Sequence, residues 1–172
     1  MSTATLNPAS TATALTMDQV FKHWMGHRNL TRKMIEKYPD EHLFTFSVGG
    51  MRPFGELVLE FLEMGVPSLH GAAYKEWKKT EELPALAQWK DKPTTKKELL
   101  DRWDLSTKEL QRIWQDLTPE RMQEEDVAFG QWPGSMHWLL FYVIDNEIHH
   151  RGQGYVYLRA LNIEPPYFWE RE

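Results

Sequence analysis

Four stretches of this chain repeat apolar residues at three-and-four spacing, and each has a start or stop signal at its ends. That pattern makes amphipathic helices, whose apolar stripes must be buried against one another. The first begins at Thr16 and runs to Pro39, with Val20, Phe21, Trp24, Leu30, Met34 and Ile35 at helical spacing. Thr16-Met17-Asp18-Gln19 reads as a capping box, a hydroxyl followed three residues later by an amide. The second opens at Pro53, where a missing N–H costs nothing, and carries Phe54, Leu57, Phe61 and Met64 on one face. Gly65 and Pro67 predict a kink or break, with helical continuation through Leu69 and Tyr74 to Trp77. The third starts on another capping box, Thr95 to Glu98, and continues through Leu99, Trp103, Leu110, Ile113 and Leu117. The fourth, capped by Ser135, spans about Met136 to Leu161. Asn162 suits a left-handed terminus, and Pro165-Pro166 forbids continuation. Four main helices with a long crossover between the second and third predict an all-α four-helix bundle.

The remaining segments are connections. Thr45–Gly50 holds a short strand-like run, TFSV, before two glycines. Residues 75–97 are polar, with lysines and acids interspersed, and read as a solvated loop. Thr118-Pro119 suits the opening of one short helical turn, and 127–134 reads as a turn region. Residues 1–15 are small and polar and lack the basic and apolar parts of a secretory leader. They are expected to form a disordered or loosely packed arm ahead of a single domain spanning 16–172, and a cytoplasmic protein is the default expectation.

Composition removes several classes of function. The chain has no cysteine, so disulfides, thiolate metal sites and cysteine nucleophiles are excluded. A formal charge of −5 argues against nucleic-acid binding, which rests on neutralising phosphates. No apolar run approaches the roughly 18 residues of a spanning helix. Eight Trp, eight Phe and six Tyr point to a core built largely on aromatic packing. No Gly-rich phosphate loop, nucleophile elbow or HExxH motif is present.

Chemistry concentrates in the last helix. Leu139, Val143, Asn146, His150, Gln153 and Tyr157 share one stripe, apolar at first and then amide, imidazole and amide. Buried polar groups on such a stripe must find partners or lose roughly 1–3 kcal/mol each. The second helix supplies a counterpart, because Pro53, Leu57, Glu60 and Met64 place a carboxylate among apolar neighbours. Glu60 facing Asn146 and His150 makes either a small metal or general-base constellation or a self-satisfied structural network. His23 and His27 form an i, i+4 pair with chelating geometry, although the surrounding pattern puts at least one of them in packing or at the surface. Glu147 and Arg151 are expected to pair on the helix surface. Gly152 and Gly154 point to the close approach of another helix.

His149-His150-Arg151-Gly152-Gln153, followed by Tyr155, Leu158, Leu161 and Pro165-Pro166, resembles the end of the DinB-like (YfiT-like) four-helix-bundle family. Phe54-Gly55-Glu56-Leu57 resembles the start of that family's second helix, and the correspondence covers about residues 17–168. The resemblance implies an up-down-down-up bundle, often a homodimer, with a divalent metal (Zn or Ni, for example) held by three histidines. It implies metal-dependent hydrolase or low-molecular-weight thiol transferase activity on a small-molecule substrate or thiol, with no nucleic-acid or membrane partner. This chain departs from the pattern. His150 falls at the last histidine position, but Asn146 stands four residues earlier, and Glu60 stands at the position on the second helix. A Glu60/Asn146/His150 metal set is harder than three imidazoles and favours Mn or Fe over Zn. Glu60 with His150 can alternatively serve as a metal-free acid/base pair. Two readings follow: a metal-dependent enzyme with a variant site, or a non-catalytic dimeric bundle, for small-molecule binding or a stress-related interaction, with a buried polar network in place of the metal.

Overall fold

The computed structural model describes residues 14–172, so the predicted arm lies almost wholly outside the described residues. Six helices form: α1 (Met17–Lys37), α2 (Asp40–Leu43), α3 (Phe54–Tyr74), α4 (Lys96–Trp114), α5 (Pro119–Gln123) and α6 (Met136–Ala160). Two short strands, β1 (Glu125–Ala128) and β2 (Trp132–Ser135), pair as an antiparallel hairpin. Both capping boxes are made. Thr16 Oγ1 accepts from the Gln19 amide, and Gln19 Oε1 accepts from that of Thr16; Thr95 and Glu98 repeat the exchange.

The core falls into two clusters that fix the direction of each helix. One end holds Trp24, Val66, Leu69, Leu110, Ile113, Leu140 and Ile144; the other holds Met34, Phe54, Leu57, Leu99, Trp103, Tyr157 and Leu158. α1 and α6 therefore run from the first end to the second, and α3 and α4 run the opposite way: an up-down-down-up bundle. Because α3 and α4 point the same way, residues 75–95 must return the length of the bundle between them. Part of that return is a single 3-10 turn at Thr80–Glu82. No helix among the described residues is long and apolar enough to cross a membrane.

Four local expectations are corrected. Of the kink or break expected at Gly65 and Pro67, the break does not occur, and α3 is one continuous helix through both. Residues 65–69 are all buried, and packing on that flank outweighs the roughly 3 kcal/mol intrinsic cost of an interior proline. α3 also stops at Tyr74, short of Trp77, because Lys75 turns left-handed (φ 61°) while its N–H bonds Gly71 O at 2.9 Å. Thr45–Gly50 forms no strand; Gly49 and Gly50 sit at φ 65° and 74° and turn the chain before it can pair. The strands form instead within 125–135. There Phe129 and Gly130, at φ 53° and 68°, supply the left-handed turn within a three-residue connection, 129–131, that suits a twisted hairpin.

Candidate functional site

α3 and α6 pack antiparallel, and their seam brings the polar residues together. Asn146 Nδ2 donates to Glu60 Oε1 at 2.8 Å, and His150 Nε2 lies 3.4 Å from the same oxygen. The other oxygen, Oε2, accepts from Arg52 Nη2 at 2.5 Å. Burial by itself would raise the Glu60 pKa, but the hydrogen bonds from Asn146 and Arg52 and the charge of Arg52 hold it below the ordinary carboxylate value. The ring of His150 lies near that of Phe61, with centroids 6.2 Å apart, and its Nδ1 is buried without a hydrogen-bond partner. Gln153, on the same stripe, does not join: its amide lies 3.4 Å from His149 Nε2 instead.

This geometry decides how well a divalent ion fits. An ionised carboxylate only accepts hydrogen bonds, so Asn146 must present its NH2 to Glu60 rather than its carbonyl oxygen. Arg52 already supplies the positive charge that an ion would bring. One imidazole is present where the resemblance implies three, and among the described residues no group of three or more His, Cys, Asp or Glu side chains comes together to hold a metal. The residues do not fit the implied ion. What they do fit is a counter-charged polar node in which Glu60 binds the Arg52 guanidinium and the Asn146 amide beside the His150 imidazole.

One helical turn along the seam, the node gives way to a cleft of about 770 Å3. Met64, Ser68 and Leu139 line it from α3 and α6. Trp77 from the connection, Phe129 and Trp132 from the hairpin, and Trp138 and Tyr142 from α6 add aromatic walls.

A second polar cluster lies between α1, α4 and α6. Arg151 Nη1 donates to Thr31 Oγ1 and His27 O at 3.1 Å each, and its Nη2 donates to His27 Nδ1 at 2.8 Å. Arg28 donates to Thr107 Oγ1 and Ser106 Oγ and stacks on Trp103, 3.8 Å from the ring centroid. Thr31 Oγ1 donates to Glu147 Oε1 at 2.5 Å. The surface pairing expected for Glu147 and Arg151 is thus a buried one, because both project toward α1. Burial lowers the pKa of Arg28 to about 10 and shifts that of Arg151 down as well. His27, buried beside Arg151 and Arg171, is lowered to about 3. His23 Nε2 lies 3.2 Å from His27 Nε2, so the i, i+4 pair does meet, with two arginines as neighbours rather than a carboxylate. Sequence spacing did carry a signal for this cluster, since Trp24, Arg28, Thr31 and Ile35 continue one buried stripe. Arg52 carried none, because it precedes the helix and reaches Glu60 only in three dimensions.

Comparison with known proteins places this architecture. A DinB-like protein from Bacillus subtilis (YjoA) superposes with a TM-score of 0.65 at 24% identity, covering 87% of this chain and 97% of its own. A DinB-like protein from Bacillus cereus superposes with a TM-score of 0.68 at 20% identity, covering 87% of this chain and 95% of its own. At such identities the likeness speaks for the fold alone. No curated protein matches the sequence. The family model described as DinB family matches residues 1–171. The chain belongs to the DinB family.

Proposed function

We propose that this DinB-family protein binds an organic small molecule in the α3–α6 cleft, and that the Arg52–Glu60–Asn146–His150 node stands in place of a metal centre. The observation that carries this reading is the double occupancy of Glu60: a guanidinium on one oxygen and an amide N–H on the other. A carboxylate engaged in this way has its charge already compensated by a guanidinium and one acceptor site on each oxygen taken, which weakens its claim on a cation. The node then stands one helical turn along the seam from a cleft whose aromatic walls and few polar groups are the usual makeup of a small-molecule site.

Elemental analysis of untagged protein after incubation with Mn, Fe, Ni and Zn salts tests it. The expected result is no stoichiometric ion in the wild type and a gain of Zn or Ni in the double variant E60H/N146H, which supplies imidazoles at the two departing positions. About one ion per wild-type chain, lost in E60A and H150A, would overturn the reading and put metal-dependent hydrolysis or thiol transfer in its place. The binding half is tested separately with a neutral apolar dye such as Nile red. Its fluorescence is expected to rise on binding and to fall in a variant with a charge in the cleft floor, M64E.

A further inference from the structure

We propose that the ligand of this cleft is an organic cation carrying a quaternary or fully alkylated ammonium group. The inference rests on the small-molecule reading above and names the chemical class that the cleft selects.

The walls are aromatic and fixed. Trp77 and Phe129 have ring centroids 5.2 Å apart, Phe129 and Trp132 6.0 Å, and Trp138 and Tyr142 5.8 Å. Trp77 lies directly on the backbone of Gly71, where a Cβ would come within 2.1 Å of the indole ring. Trp138 lies on Gly134, where a Cβ would come within 3.1 Å. Phe129 holds a left-handed conformation that a bulky side chain rarely adopts, and this sets its ring at the hairpin tip among the others. Trp132, Trp138 and Tyr142 remain 52%, 49% and 50% exposed. Three large aromatics half in water around one cleft form an apolar patch of the kind that marks a binding site.

The charge of the lining chooses among ligands. Glu63 and Glu82 line the cleft against one cation, Lys79. Glu82 is partly engaged, accepting from the Lys79 backbone N–H at 2.7 Å. Glu63 is exposed and pairs with no cationic side chain among the described residues. An anion would meet two carboxylates here. A primary ammonium would lose hydration at aromatic walls that offer it few acceptors. A quaternary ammonium needs no acceptor, is attracted to ring faces, and gains further from one unpaired carboxylate at the edge.

The test compares choline with its uncharged tert-butyl isostere, dimethylbutanol, by calorimetry and tryptophan fluorescence on the full chain. Choline is expected to bind about tenfold more tightly than the isostere. That preference should fall severalfold in E63Q and disappear in W132A, while W132F retains part of it. Both positions are exposed, and unchanged circular dichroism checks the fold. Equal affinity for the two probes would overturn the cation assignment and leave the small-molecule reading standing. Binding of Nile red with no binding of choline would do the same. Failure of all three probes would overturn both.

Discussion

The carboxylate of Glu147, 2% exposed, lies 3.8 Å from Arg28 Nη1 and 3.7 Å from Arg151 Nη1 and accepts from Thr31. It is the carboxylate paired with both guanidiniums. Glu147→Gln keeps the shape and removes the counter-charge, and it is expected to cost about 3–5 kcal/mol in urea denaturation. A loss below about 1 kcal/mol would mean that the surrounding hydroxyls and carbonyls solvate the two cations unaided. His27 gives the same cluster a pH dependence. Its value falls from 6.5 in the unfolded chain to about 3 in the fold, so the unfolded chain binds a proton that the folded chain excludes. Stability from this residue is full above the unfolded value and is lost as pH drops from 6.5 toward 3. His27→Gln keeps an acceptor for Arg151 and cannot titrate. The denaturation midpoint of the wild type should therefore fall more than that of the variant between about pH 7 and about pH 5.

Elements meet closely where glycine allows it, and α6 contains a natural control. A Cβ at Gly154 would lie 2.5 Å from the ring of Phe54 on α3, whereas one at Gly152 would meet nothing within 4 Å. Neither glycine has a positive φ. Gly152→Ala is expected to stabilise by about 0.4–1 kcal/mol through the lower entropy of the unfolded chain. Gly154→Ala should destabilise by about 1–3 kcal/mol by forcing the α3–α6 seam apart. Thermal melts of the two variants, shifted in opposite directions, would locate the close approach. Of the two glycines that the sequence singles out together, only one has a packing reason, and nothing in the local pattern distinguishes them. The difference depends on which flank of α6 faces Phe54.

For the molecule as a whole, the seam joins the polar node to the aromatic cleft. Phe54 meets Gly154, Glu60 meets Asn146 and His150, and Met64 and Ser68 share the cleft with Leu139 and Tyr142. This antiparallel register puts a charged, counter-ionised wall and an apolar cleft one helical turn apart. The hairpin closes the far side of the cleft. A sequence reading of 127–134 as a bare turn has no means of seeing it, because β1 and β2 are four residues each and gain their order from pairing.

What the sequence determined alone is what local chemistry dictates: four amphipathic stripes, their caps at Thr16, Thr95 and Thr118, the left-handed stop at Asn162 (φ 59°), and the long crossover. Periodicity also set Glu60, Asn146 and His150 on inward faces, since three-and-four spacing is a property of the helix itself. Tertiary structure alone decided what those faces meet. Arg52 reaches Glu60 from eight residues away and pairs with the oxygen that Asn146 does not engage. Arg28, Glu147 and Arg151 become interior because three helices converge on them. Aromatics from the connection, the hairpin and α6 become one cleft. Hydrogen bonds between near neighbours are written in spacing; charge compensation and cavities arise only when distant segments share the same space.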